Sequence, residues 1–249
     1  MEIELDDRWS IGGRPHGGYL LREAVRPALT EQHPHPLAVS AHFLRSPDGG
    51  TASVEVETLR VGRQVSQLRT RIVQHGQTVL ETQVTTSRLD PEAEPYWTRS
   101  TPPALPDPES CVRAPADVAP GFRVGHLGFV DSRYDAERYV FGAPHAVPGE
   151  LQAWMRMDGA PTTALDLLVL ADTLQPTAAG LGVPGWFPTV ELTAYLRAVP
   201  ADGWLVGRHR TQELIGGWFD EDCEIWDSRG RLVCQARQLA GYRLSRPLS

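Results

Sequence analysis

Apolar and polar residues alternate with a period of two in two separate blocks of this chain, and each block includes one apolar stretch of helical length. In the first block Glu2 to Ser10 alternates as a strand, and Arg14-Pro15-His16-Gly17-Gly18 opens a predicted helix from His16 to Leu29. Tyr19, Leu20, Ala24, Val25 and Leu29 give that helix one apolar face. Strands are predicted at Pro36–Leu44, Ala52–Arg60, Gln64–His75 and Thr78–Leu89, divided by Pro47-Asp48-Gly49-Gly50, Val61-Gly62-Arg63 and Gln74-His75-Gly76-Gln77. The second block predicts strands at Phe122–Val130 and Glu150–Met157, a helix from Pro161 to Leu174, and strands at Phe187–Ala198, Gly203–His209, Gly217–Trp226 and Leu232–Tyr242. Asp227-Ser228-Arg229-Gly230 is its hairpin turn.

The two blocks also match in sequence. Phe43-Leu44-Arg45 is answered by Tyr195-Leu196-Arg197, and His75-Gly76-Gln77-Thr78-Val79 by Arg229-Gly230-Arg231-Leu232-Val233. A repeat of this length is a duplicated domain and not a short-period solenoid. The expected division is 1–90 for the first copy, 91–120 for a proline-rich connection containing PPALPDPES, and 121–249 for the second copy. Two copies packed about a pseudo-twofold axis can build one site from different residues of each.

Composition narrows the class. The 249 residues are 41% hydrophobic, enough for a shared core, and the formal charge of -7 has no basic stripe that would mark a nucleic-acid surface. All 24 basic residues are arginine, so any phosphate must be met by Arg, His or backbone amides. Cys111, Cys223 and Cys234 lack disulfide or zinc-type spacing, which predicts a reducing cytoplasm and no metal. The N-terminus, MEIELDDRWS, has no apolar core, and no run approaches the ~18 apolar residues of a membrane span, so neither export nor membrane insertion is expected. No G-x-S-x-G, H-E-x-x-H, P-loop or G-x-G-x-x-G occurs, which removes serine hydrolase, zinc peptidase, nucleotidase and dinucleotide-binding readings.

Asp172 is the anomaly in the chain's most apolar helix, ALDLLVLADTL, because an ionised group persists there only with partners or a task. Gly17 and Gly18 open the first helix without side chains, so a ligand can approach free N–H groups at the positive end of the helix dipole. His16 fits helix entry or catalysis. The Gly62-Arg63 and Gly207-Arg208 pairs fit exposed turns or a phosphate contact, and Trp186 and Trp218 fit core, interface or an acyl tunnel.

GRPHGGYL and PLAVSAHFLRSPDGGTASVEVETLRVGR in the first copy, with LADTLQP and WDSRGRLVCQARQLAGYR in the second, resemble the hotdog-fold acyl-CoA thioesterase superfamily. The resemblance is closest to its single-chain acyl-CoA thioesterase II (TesB-like) group. It implies an α+β tandem hotdog: two antiparallel sheets, each wrapped around a long central helix and joined edge to edge. It also implies hydrolysis of an acyl thioester without a covalent intermediate. Asp172 then matches the family's water-activating Asp, Gln238 its Gln, and Thr211 its hydroxyl, although Gln212, Glu213 and Leu214 replace the usual hydroxyl-rich run.

His16, Gly17 and Gly18 would bind substrate. Setting His16 against Thr163 puts Val25 opposite Asp172, giving one site per chain; a slipped register would put Glu23 there and allow two. The partner implied is a small-molecule acyl-CoA or acyl-carrier substrate, with coenzyme A as part of the substrate and no other cofactor, and a homo-oligomer is compatible. Two rivals remain: a non-catalytic acyl-CoA or acyl-carrier binding protein, and a double-hotdog hydratase or dehydratase that would need His16 as its base. Acyl chain length is open.

Overall fold

The computed structural model describes residues 1–139 and 145–242; residues 243–249 of the predicted second copy lie outside the described residues. Thirteen strands form one antiparallel sheet. They are β1 (Glu2–Leu5), β2 (His35–Phe43), β3 (Gly50–Val61), β4 (Val65–Gln74), β5 (Gln77–Ser87), β6 (Val112–Arg113) and β7 (Val130–Tyr134). There follow β8 (Glu150–Met157), β9 (Thr189–Leu196), β10 (Leu205–Arg210), β11 (Leu214–Ile215), β12 (Trp218–Trp226) and β13 (Leu232–Gly241). The order is β1-β3-β4-β5-β2-β9-β13-β12-β10-β8-β7-β6, with β11 paired to β12 alone. Read outward from the centre, β2 answers β9, β5 answers β13, β4 answers β12 and β3 answers β10, which is the repeat expressed as a pseudo-twofold.

The seam between copies is the β2–β9 ladder, running from His42 opposite Glu191 to Ala38 opposite Tyr195. Thr193 Oγ1 donates to Ser40 Oγ across it at 3.1 Å. Joining the copies here makes one continuous sheet in place of two and leaves neither central strand with an unpaired edge.

The first-block strands fall within two residues of their predicted spans, because one face of each is buried and the other solvated. The N-terminal strand is shorter: Glu2–Leu5 pairs with β3, and the chain then turns through a 3-10 segment at Asp7–Trp9. The expected strand at Phe122–Val130 is also corrected. Phe122–Arg123 forms a small ladder with Asp117–Ala119, Gly125–Gly128 is a 3-10 turn, and the sheet strand begins at Val130.

Both helices are shorter than predicted, so the long central helix is replaced by short ones. Helix α1 spans Gly17–Val25, and Pro27 in the following 3-10 turn at Arg26–Ala28 ends it. In the Pro161–Leu174 stretch only α2, Leu167–Leu170, is α-helical. Tighter i to i−3 bonds flank it, from Val169 N to Asp166 O and from Thr173 N to Leu170 O. Downstream carbonyls are taken by side chains from outside the helix: His16 Nε2 donates to Asp172 O at 2.8 Å and His126 Nε2 to Thr173 O at 3.1 Å. A further short helix, α3, spans Thr177–Gly180.

The sheet packs over these helices. Leu21, Ala24 and Val25 of α1 and Leu167, Leu168, Val169 and Leu170 of α2 are fully buried in a core shared with Val39, Ile72, Leu192 and Ile225 from strands of both copies. Each buried leucine contributes roughly 1.5–3 kcal/mol relative to an exposed one. The residues between copies lie against the second one: Arg231 donates to the carbonyls of Pro91 and Ala93, and Trp226 Nε1 to Ser100 Oγ. Among the described residues no helix is long and apolar enough to cross a membrane.

Candidate active site

Helices α1 and α2 meet end against side, and the contact requires glycine at the entrance of α1. A Cβ on Gly18 would stand 2.8 Å from the Leu168 carbonyl oxygen and 2.9 Å from that of Val169. A Cβ on Gly17 would stand 2.7 Å from Asp172 Oδ2. The residue just past α2 is therefore brought onto the first turn of α1, where Gly18 N donates to Asp172 Oδ2 at 2.8 Å.

His16 is the N-cap of α1. Its Nδ1 accepts from the Tyr19 amide at 3.1 Å, so the ring proton is on Nε2, which donates to the Asp172 carbonyl at 2.8 Å and lies 3.5 Å from Asp172 Oδ2. Both nitrogens are thereby committed, and the imidazole stacks on His126 with centroids 4.1 Å apart. His126 is buried; burial and the neighbouring His16 push its pKa well below the usual histidine range, so it stays neutral.

Three of the four first-turn amides of α1 are used: Gly18 by Asp172, Tyr19 by the His16 ring and Leu20 by the His16 carbonyl. Gly17 N–H has no protein acceptor among the described residues. Asp172 Oδ1 likewise has no protein donor among them. Burial raises the Asp172 carboxyl above the ordinary aspartate range; His16 and the Gly18 amide offset this only in part, and the charge of Glu221 adds to the rise.

These groups open into a cavity of about 730 Å³. His16, Gly17, Asp172 and Gln238 line it together, as do apolar residues from both copies, including Leu20, Phe43, Val124, Leu127 and Val183. Trp186 lines it too, with Arg14 stacked on its ring at 5.1 Å, whereas Trp218 stands outside it at the surface. Neither Gly-Arg pair reaches the cavity, and Arg208 is ion-paired with Glu224.

Thr211 stands behind the wall. Its hydroxyl donates to the Asp220 carbonyl at 2.8 Å and contacts the hydroxyl of Thr177. The hydroxyl bonded to Gln238 belongs to Thr189, whose Oγ1 donates to Gln238 Oε1 at 2.7 Å, and Thr189 lines the cavity.

Glu221 is the cavity residue that sequence reasoning missed. It is 2% exposed, and its Oε2 accepts from Gln238 Nε2 at 2.6 Å and faces His209 Nδ1 at 3.3 Å. Its Oε1 accepts from the amide and the hydroxyl of Thr177, each at 2.8 Å. Burial alone would raise this carboxyl, but His209 and the Thr177 donors outweigh it and hold Glu221 below the usual range. The signal was present in β12, where Phe219, Cys223 and Ile225 mark the buried face and Glu221 falls in phase with them.

Models of the N-terminal and C-terminal domains of acyl-CoA thioesterase match residues 5–87 and 108–242 of this chain. The chain belongs to the acyl-CoA thioesterase family.

A candidate thioesterase II from Thermobifida fusca YX has 35% identity to it over 97% of this chain and 91% of that one, and its crystal structure superposes with a TM-score of 0.86. An uncharacterised protein of Mycobacterium tuberculosis strain H37Rv is 33% identical over 96% of this chain and 90% of its own length. A protein of unknown function with a hot dog fold from Alicyclobacillus acidocaldarius superposes at a TM-score of 0.84 with 20% identity, covering 99% of this chain and 93% of that one. That likeness establishes the hotdog fold. In this member of the acyl-CoA thioesterase family, the glycine-led helix comes from one copy and the carboxylate from the other.

Proposed function

We propose that this protein hydrolyses an acyl-CoA or closely related acyl thioester to the free acid and thiol, with Asp172 as general base. The observation that carries the reading is the Asp172 carboxylate seated on the Gly18 amide at the start of α1, beside the free Gly17 amide, inside a largely apolar cavity. Oδ2 is anchored, and Oδ1 is available to take a proton from water. A carboxyl raised by burial is a stronger base than an exposed one. Water attacks the thioester carbon as its proton passes to Asp172, and the Gly17 N–H, at the positive end of the helix dipole, stabilises the developing oxyanion. Collapse of the tetrahedral intermediate expels the thiolate, which takes up the proton. No enzyme-bound acyl group is formed.

Gln238, fixed between Thr189 and Glu221, holds the attacking water from its other side. The apolar wall accommodates the acyl chain. Arg14 and Arg45 also line the cavity; Arg14 stacks on Trp186, Arg45 donates to the Thr78 carbonyl, and neither has a carboxylate partner among the described residues, so they supply the cations for a phosphorylated carrier. His16 acts as a positioning residue and not as a base, because both its nitrogens are engaged; this disfavours the hydratase reading.

The test is thiol release from acyl-CoAs of graded chain length by the wild-type protein and by Asp172→Asn. Release abolished in a folded variant supports the proposal. Tight acyl-CoA binding with no release by the wild type replaces it with the binding-protein reading.

A further inference from the structure

We infer that Glu221 is a positioning residue for this reaction: it compels Gln238 to present an N–H, and not its carbonyl, to the reacting water. The inference rests on the hydrolase reading above and extends it to a residue outside the expected Asp, Gln and hydroxyl set. A side-chain amide is nearly symmetric in shape, so its orientation is decided by its neighbours. An ionised carboxylate only accepts. With Glu221 Oε2 at 2.6 Å, the Gln238 amide nitrogen must face it, since the flipped amide would set oxygen against oxygen. The Thr189 hydroxyl then donates to the Gln238 carbonyl at 2.7 Å, and every protein contact of that amide agrees with one orientation. One N–H of the amide is left over, and Gln238 lines the cavity. It can meet the oxygen lone pair of the water whose proton leaves for Asp172.

Glu221 is itself held in place. Thr177 donates to it twice at 2.8 Å, and His209, fully buried on β10, faces it at 3.3 Å. A carboxylate with this many donors does not turn away, which suits it to fix a neighbour. It also acts on the base through space. The titratable groups around Asp172 are His16, on which His126 stacks, together with His209, Cys223 and Glu221, and of these only Glu221 is an anion. Its charge disfavours a second negative charge on Asp172, so Asp172 is a stronger base with Glu221 than without it.

The test is a double-mutant cycle of Glu221→Gln and Gln238→Ala, read as kcat, KM and the pH dependence of kcat/KM, with thermal midpoints as the control for folding. In Glu221→Gln the neutral amide lets Gln238 flip, and kcat should fall about tenfold or more with KM nearly unchanged. The acidic limb of kcat/KM should move to lower pH. With Gln238→Ala already made, adding Glu221→Gln should cost little further kcat while still moving the limb. Glu221→Asp keeps the charge but withdraws it by one methylene, so it should leave the limb in place while lowering kcat; it also serves if Glu221→Gln does not fold. Additive losses in the cycle, or an unmoved limb in Glu221→Gln, would overturn the role of Glu221. Absence of wild-type turnover would remove the hydrolase reading and this inference with it.

Discussion

Gly18 N–H and the Asp172 carboxylate, 154 residues apart in sequence, are joined by a 2.8 Å hydrogen bond that unites the two copies at one point. In this pair the first copy supplies the amide-presenting helix start and the second copy the carboxylate. Asp172→Asn should therefore lower kcat about 10²–10⁴-fold while the fold survives, because an asparagine carbonyl still accepts from Gly18. The check is thiol release alongside a denaturation curve; full activity in the variant would remove Asp172 from the chemistry.

The pH profile should carry the same signature. The base works ionised, so kcat/KM should rise with pH through the Asp172 titration. Burial places that rise above the ordinary aspartate value of 3.8. A profile already flat at the ordinary value would contradict the buried-base assignment.

The adjacent glycines should fail in different ways. Gly18→Ala meets two backbone oxygens of α2 that cannot swing aside, and should destabilise the protein by roughly 1–3 kcal/mol in chemical denaturation. Gly17→Ala meets the Asp172 carboxylate, a side chain that can move. It should cost kcat about tenfold or more and comparatively little stability.

His126 should link stability to pH. Its folded pKa is depressed, so in acid the unfolded chain binds a proton that the folded protein refuses. Its contribution is fully present above the unfolded value of about 6.5 and is lost as pH falls below it, at most about 1.4 kcal/mol per pH unit. Urea denaturation at pH 7.5 and 5.5 should show this loss, and His126→Gln, which can keep a donor to Thr173, should show less of it.

Arg14 and Arg45 should discriminate carriers. Either substitution to Gln should raise KM for an acyl-CoA several-fold, about 1 kcal/mol for an exposed charge-assisted contact, without changing kcat. An acyl-pantetheine, which has no phosphate, should be indifferent. Equal effects on both substrates would place the arginines elsewhere in the mechanism.

Apart from Glu2–Ser10 and Phe122–Val130, the sequence by itself determined the predicted strands of both blocks to within two residues, because alternation reports which face of a strand is buried, and that property is local. It also determined the repeat and, through resemblance, the candidates His16, Gly17, Asp172 and Gln238, which the structure brings to one cavity. Asp172 was visible as a charge in an apolar run, and Glu221 was equally visible as a charge in phase with Phe219, Cys223 and Ile225, but nothing local names its partners. Only the tertiary structure decided those partners, because Gln238, His209 and Thr177 arrive on three other segments. It also decided that Thr189, and not Thr211, bonds Gln238, since strand register across the β9–β13 ladder sets that contact. The length of α2 was likewise beyond periodicity. Past its end the carbonyls of Asp172 and Thr173 are claimed by His16 and His126, side chains that arrive from far along the chain only after the fold has formed.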